Sequence, residues 1–428
     1  MHGGGPTRRF EQSSTRMQFR RTPKRIKKFI NEHGLADRLH EVLRDPRRRK
    51  GRSWSFNYIL DVVFTAIALQ ATTLAEAESI SEGIGPRLPD SSMAYTLERI
   101  DPTPLRSELR RQVRTMLRSK TLAPVGLPMG VVSVDGKTSW TGTHLADPEA
   151  QLQDGRYNLR WMRAVLVSAA SRPCIDQDVI PAKTNEMGHL ATFWAALVEA
   201  YGRSSLFEAV TLDAGYTSKE NAALIDRDGY AYVMRVKCTQ PTLLDELQRQ
   251  LAGRIHEPEA TTPWESRHGR QLQQRLVRSQ EMADYDGWAH LRQGWLVQTV
   301  ERDAKGVEHV VLERWYITNL LWNRLTGRQI LELVRRHWAI ENDCNWVLDV
   351  EWKEDTHPWC TNASEARDHH PQRTLSWLRM LGYNLVTWLM RVRLRSRPKW
   401  RELRDALRAV LLSMPTSIEL EVAFATLA

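Results

Sequence analysis

Two short apolar runs constrain this chain's fold most. Val131-Val132-Ser133-Val134 is rich in β-branched residues and stops at Asp135-Gly136, and Phe207–Leu212 stops at Asp213-Ala214-Gly215. Between and after them lie His189–Tyr201, which has helical spacing, and Thr217-Ser218-Lys219-Glu220, which opens a helix with a capping-box arrangement. Arg163–Ala170, Gln177–Pro181 and Tyr230–Val236 read as further strands. Strands alternating with helices predict an α/β layer. Ligand sites in open α/β sheets gather at the carboxyl ends of strands, where both aspartates fall. Each aspartate also has a plainer reading, because Asp-Gly is a common tight-turn pair.

The flanks have a different texture. Residues 1–23 are polar and rich in Gly and Arg, which predicts a flexible tail. Phe56–Ala71 has the broad apolar pattern of a buried helix, interrupted by Asp61, and Asp90 or Ser91 and then Pro104 open two more helices. Residues 24–122 therefore read as an all-helical domain, followed by a first core segment at 123–240. From 241 to 320 the chain reads as a β-rich insertion, with strands at Gln271–Ser279, Gly294–Arg302 and Val307–Ile317. A second core segment covers 321–395, with one long helix at Thr326–Leu348 and another at Thr374–Leu394. A helical tail covers 396–428 and includes Trp400–Leu412.

Charge narrows the partners. Residues 1–60 hold 16 Lys and Arg against 5 Asp and Glu, and the whole chain carries +10, so the other 368 residues sum to −1. A basic front on a near-neutral body suits a polyanion. A membrane is not expected, because no apolar run approaches the roughly 18–20 residues of a spanning helix. The amino terminus also lacks the apolar core of a signal peptide. Cys174, Cys238, Cys344 and Cys360 form no C-x-x-C pair, which suits a reducing, cytoplasmic compartment. A zinc site from Cys344, His357, Cys360, His369 and His370 matches no common spacing.

Glu341 stands out next. On a continuous helix, Val334, Trp338, Glu341, Asn345 and Leu348 share one stripe. A carboxylate in a mostly apolar stripe is costly unless paired or bound to a cation. Arg335, Arg336 or Arg163 offers a salt bridge as the simple alternative. Asp135, Asp213 and Glu341 together suit hard divalent cations such as Mg²⁺, which prefer oxygen ligands. Two such ions about 3.5–4 Å apart stabilise both the attacking and the leaving oxygen at a phosphate.

These residues sit in a pattern that resembles the DDE transposases of bacterial insertion sequences. The resemblance rests on His337-Trp338-Ala339-Ile340-Glu341-Asn342, Trp346-Val347-Leu348-Asp349-Val350 and Glu354-Asp355. It also rests on Val134-Asp135-Gly136-Lys137, Leu212-Asp213-Ala214-Gly215-Tyr216 and His268-Gly269-Arg270. It spans roughly residues 40–395, with these motifs in the right order. It implies a ribonuclease-H-like catalytic core interrupted by a β-rich insertion, within an α/β class that also has helices before and after the core. It implies that Asp135, Asp213 and Glu341 are catalytic and bind two Mg²⁺ or Mn²⁺ ions. It further implies cutting at the element's terminal inverted repeats, strand transfer into target DNA, and a homodimer on double-stranded DNA in the nucleoid. The pattern departs from related branches, which carry Tyr, Arg and Lys where this chain has Val334, His337 and Leu348. Cys344-Asn345 and Trp140 depart likewise.

Other residues are candidates for DNA contact. Arg47, Arg48, Arg49, Lys50 and Arg52 form a basic loop suited to phosphates. Lys137, His268, Arg270, Arg336 and His337 are further phosphate candidates. Trp288 and Trp295 are candidates for stacking on an unpaired base, against a plain core role. A derived DNA-binding protein that no longer cuts, or a nuclease that does not join strands, are the alternative functions.

Overall fold

The computed structural model describes residues 23–48, 52–143, 147–267, 269–288, 290–357, 359–360, 371–394 and 398–412. The expected flexible tail, most of the carboxyl-terminal segment, Arg49, Lys50, His268, His369 and His370 lie outside them. The chain forms two compact units. One draws on residues up to Gln112, Ser139–Asn158 and the chain from Val347 onward. The other comprises Val113–Thr138 and Leu159–Trp346. The units are thus assembled from non-adjacent segments, whereas sequence texture marks off only consecutive ones.

The first unit is built on the helix Phe56–Ala68. Ser55 caps it by accepting from the Tyr58 amide, and nearly every residue in it is buried. Asp61, the interruption in its apolar run, is paired with His40 Nε2 at 2.9 Å. The helix stops at Leu69, before Gln70 at φ +60°, three residues earlier than the pattern suggested. Helix Pro371–Trp388 packs on it closely: a Cβ at Gly382 would lie 2.8 Å from Ile67 Cγ2. Trp352 is fully buried and donates its indole N–H to the Ile67 carbonyl at 2.8 Å. Among the described residues no helix is long and apolar enough to cross a membrane.

The second unit is a mixed sheet with flanking helices, and its strands run from β1 to β11. They are β1 (Val131–Gly142), β2 (Gln151–Gln153), β3 (Arg156–Leu166), β4 (Cys174–Val179), β5 (Ala209–Leu212) and β6 (Ala231–Val236). They continue with β7 (Ala260–Thr261), β8 (Glu265–Arg267), β9 (Arg270–Ser279), β10 (Gln293–Arg302) and β11 (Glu308–Thr318). Strand β2 and the start of β3 form a short hairpin that belongs to the first unit. The order β3-β1-β5-β6 is followed by β11-β10-β9-β7, with β4 beside β3 and β8 beside β9. Strands β1, β5 and β6 are parallel, and the rest pair antiparallel where register is defined.

Three expectations change. β1 does not stop at Asp135 but runs on to Gly142, so the Asp-Gly pair is not a turn. The β-rich block does not stand apart: Trp315–Thr318 of β11 pairs with Val236–Val233 of β6. It thereby covers a sheet edge that would otherwise expose unpaired backbone groups. The long helix is not continuous. An α-helix spans Gly327–His337, a π-helical turn spans Ile340–Asn345, and a short helix follows at Trp346–Glu351. A π-turn holds one residue more than an α-turn and is frequent at functional sites.

Candidate active site

Register brings the two aspartates together. Val134 and Leu212 are partners in the parallel β1–β5 ladder. Asp135 and Asp213 are each the next residue, so they reach the same level on neighbouring strands about 4.8 Å apart. Side chains alternate along a strand, so Ser133 and Asp135 share a face of β1, as Thr211 and Asp213 share the matching face of β5.

His337 docks the helix Gly327–His337 on that face. Its Nδ1 stands 3.1 Å from the Ser133 hydroxyl and 3.0 Å from the Thr211 hydroxyl, and Ser133 also donates to the His337 carbonyl at 3.2 Å. From Ser133 to Asp135 the strand advances about 6.6 Å, and four helical residues from His337 to Glu341 advance about 6 Å. Glu341 comes near enough to Asp135 for its charge to act on the Asp135 carboxyl. The π-turn is pinned on both sides. Asp343 is ion-paired with Arg172, and Asn345 accepts from Arg163 at 3.1 Å. Arg163 also donates to Gln177 at 3.2 Å. Glu341 is left exposed, while Val334, Asn345 and Leu348 of the expected stripe are buried. The expectation of a carboxylate among apolar neighbours is thus corrected, because the regular period it assumed is broken by the π-turn at Ile340–Asn345. The simple salt-bridge alternative is also set aside. Arg335 pairs with Glu265, Arg336 with Glu332, and Arg163 with the amides just named.

The electrostatics differ sharply across the three carboxylates. Burial pushes Asp135 up to about 7. The Gly136 amide donates to it at 2.8 Å and works the other way, while Glu341, Glu186 and Asp213 push it further up. Asp213 is also partly buried, yet the Ala214 amide, Lys237 and Arg235 hold its carboxyl below the usual range. Arg235 Nη1 and Lys237 Nζ each stand 3.2 Å from its oxygens. Glu341 is raised by partial burial and by Asp213, against Arg235 and Lys237. In chemistry this donor set fits a divalent cation. It is all carboxylate oxygen, and the desolvated Asp135 among like charges is relieved by a cation. Among the described residues, however, no three His, Cys, Asp or Glu side chains stand close enough together to hold a metal ion.

A pH effect follows. A carboxyl raised from about 4 in the unfolded chain to about 7 in the fold binds more protons when folded between those values. Its contribution to stability is therefore full below about pH 4 and is lost as pH rises through about 7. In chelator, Asp135→Asn should be more stable than the parent chain at pH 8 by up to roughly 4 kcal/mol, and equal to it near pH 4. Denaturant titrations at both pH values test this, and an equal gap at both would refute it.

The structure sorts the remaining candidates. Arg47 is buried, paired with Asp45 at 2.9 Å, and donates to the Trp54 carbonyl at 2.9 Å. It shapes its loop and is not offered to phosphate. Arg52 donates to the Arg47 carbonyl at 3.0 Å but is exposed, as is Arg48. Arg336 is buried and donates to the Ser168 carbonyl at 3.0 Å, so it too is structural. Burial drives His337 down to about 4, leaving it neutral and enclosed rather than a phosphate ligand. Trp288 and Trp295 are 5% and 0% exposed, so neither presents a face to an unpaired base. Lys137 is half-buried two residues beyond Asp135, and Arg270 is exposed, 3.4 Å from Glu301.

Sequence reasoning missed residues that lie beside Glu341 or Asp213. A cavity of about 340 Å³ borders Glu341 and Asn342 and is lined by Trp338, Arg314, Arg335 and Glu265 among others. Arg314 and Arg235 lie 5.1 and 5.5 Å from the Trp338 ring centroid. Arg235 and Lys237 were findable in principle: they sit two apart at the carboxyl end of β6, beside the strand that carries Asp213.

The chain is similar to known proteins. The putative transposase YncI of Escherichia coli O157:H7 is 24% identical over 186 residues, which is 41% of this chain. The chain spans 45% of the length of that relative. The cryo-EM structure of the piggyBac transposase synaptic complex with hairpin DNA superposes with a TM-score of 0.46 at 10% identity. That superposition covers 94% of this chain and 84% of the other. The model of the transposase DDE domain matches residues 126–368. With more than half of its length matched, the chain belongs to the transposase DDE domain family.

Proposed function

We propose that this protein is an insertion-sequence transposase that cuts double-stranded DNA at the element's terminal repeats and transfers the freed strand to target DNA. The in-register placement of Asp135 and Asp213, with Glu341 brought over them by a docked helix and its π-turn, carries the reading. In this reading the strands in order β4-β3-β1-β5-β6 are a ribonuclease-H-like core. Strands β7–β11 are then the insertion between the second aspartate and the glutamate. The linear domains at 24–122, 123–240, 241–320, 321–395 and 396–428 belong to the same reading, as do a homodimer on DNA and a place in the nucleoid.

Asp135, Asp213 and Glu341 would hold two Mg²⁺ or Mn²⁺ ions. When bound, such ions activate water and stabilise the leaving oxygen at a phosphate. The chain's own residues supply the rest. The Gly136 amide orients the Asp135 carboxylate. Arg235 and Lys237 keep Asp213 ionised and present positive charge at the mouth where a phosphate backbone must pass. Arg314, near Trp338, extends that charge along the cavity.

Labelled DNA carrying the element's ends should be cut with Mg²⁺ or Mn²⁺, and not with chelator or with Ca²⁺ alone. Joined products should appear when target DNA is added. Cutting in chelator would refute the metal reading. Cutting without joints would favour a plain nuclease, and binding without cutting would favour a silent derivative.

A further inference from the structure

One acidic side chain near the centre has no assigned role. Glu186 is the first residue of the helix Glu186–Tyr201, after the Asn185 cap that accepts from the Gly188 amide. A glutamate in a first helical turn is ordinary, since it complements the helix dipole. Two contacts go beyond that explanation.

The first contact is with the Asp135 motif. A Cβ built on Gly136 would lie 1.9 Å from Glu186 Oε1 and 3.0 Å from Oε2. The Glu186 carboxylate therefore rests against the backbone of the residue that follows Asp135, where a side chain at that position would displace it. The second contact is with the Asp213 motif. Tyr216, 1% exposed, donates its hydroxyl to Glu186 Oε2 at 3.4 Å. Tyr216 ends the short 3-10 turn Ala214–Tyr216 that directly follows Asp213. Both motifs thus touch one carboxylate. Among the described residues no lysine, arginine or histidine forms an ion pair with Glu186, so a negative charge is held beside Asp135 with no protein cation to offset it.

We propose that Glu186 is a fourth carboxylate of this centre, a divalent-cation ligand that works with Asp135 and is oriented by Tyr216. The proposal rests on the metal-dependent reading above. Glu186 touches the cation in this account, and Tyr216 is a positioning residue that acts through it.

The test is Mn²⁺ uptake by the full chain without DNA, followed by the paramagnetic signal of free Mn²⁺. Glu186→Gln should weaken uptake roughly ten- to a hundredfold, and Glu186→Asp should restore part of it. Tyr216→Phe should give a smaller loss in the same direction. Melting temperatures of the Glu186 variants should match the parent, because the side chain is exposed. Uptake unchanged in Glu186→Gln but lost in Asp135→Asn would overturn the fourth ligand and leave the centre standing. Uptake unchanged in both variants, or absent from the parent chain, would overturn the reading of the centre itself. Glu186→Ala with Gly136→Ala adds a check. If Glu186 matters only by filling space, the added methyl should restore uptake, which would also overturn the proposal.

Discussion

Asp135→Asn, Asp213→Asn and Glu341→Gln should each lower cleavage of end DNA by at least about a thousandfold, with end binding changed only a few-fold. Each substitution keeps the side chain's shape and removes one negative charge. A cation at a phosphate contributes several kcal/mol to the transition state, and about 4 kcal/mol corresponds to that factor in rate. Binding depends chiefly on phosphate contacts by basic groups, which these changes leave in place. The three should differ in stability. Asp135→Asn removes a carboxylate that burial and like charges disfavour, so it should not destabilise the chain. Asp213→Asn takes a partner from Arg235 and Lys237 and should cost some stability. Rates on labelled ends and filter binding on the same DNA measure both effects. A Glu341→Gln chain that cuts normally would move the third ligand to Asp349 or Glu351.

The second large effect is expected at His337, a residue that sequence alone suggested for phosphate contact. His337→Ala should destabilise the fold by about 2–4 kcal/mol, chiefly from the cavity left behind and in part from the buried Ser133 and Thr211 hydroxyls, each of which loses one of its two partners. Cleavage should fall about a hundredfold even at temperatures where the variant is folded, because Glu341 follows one turn later and small misplacements at a reacting centre cost that much. The salt dependence of DNA binding should not change, since an enclosed neutral imidazole neutralises no phosphate. Binding measured across a salt series separates the two accounts: a shallower slope in His337→Ala would restore the phosphate role.

Much of the site could be read from the chain because chemistry and local spacing were enough. The two strand-borne aspartates needed only β-branched runs ending in acid and glycine. Asp135 was misplaced in detail, since a strand's end cannot be seen when the residues beyond it, Gly136 to Gly142, also pair. The basic loop misled for another reason. Composition counts positive charge but does not show that Arg47 is spent on Asp45 and a carbonyl. The tryptophans of the β-rich block were similarly ambiguous: Trp295 donates its indole N–H to Gln293 at 3.1 Å inside the sheet's packing.

Glu341 shows the division most clearly. Its identity, its place in an acid-bearing helix and its candidacy as a partner of two aspartates follow from residue types and order along the chain. Its exposure does not, because a regular period of 3.6 residues assigns it to an apolar stripe. The regular period is broken by a π-turn held by Arg163 and Arg172 from distant parts of the chain. Glu186 was invisible for the same reason. Sequence determines which groups can bind a cation and which segments become strands or helices, since both depend on near neighbours. Register, helix docking and the facing of side chains depend on contacts between residues far apart in the chain, so only the folded structure decides which carboxylates meet.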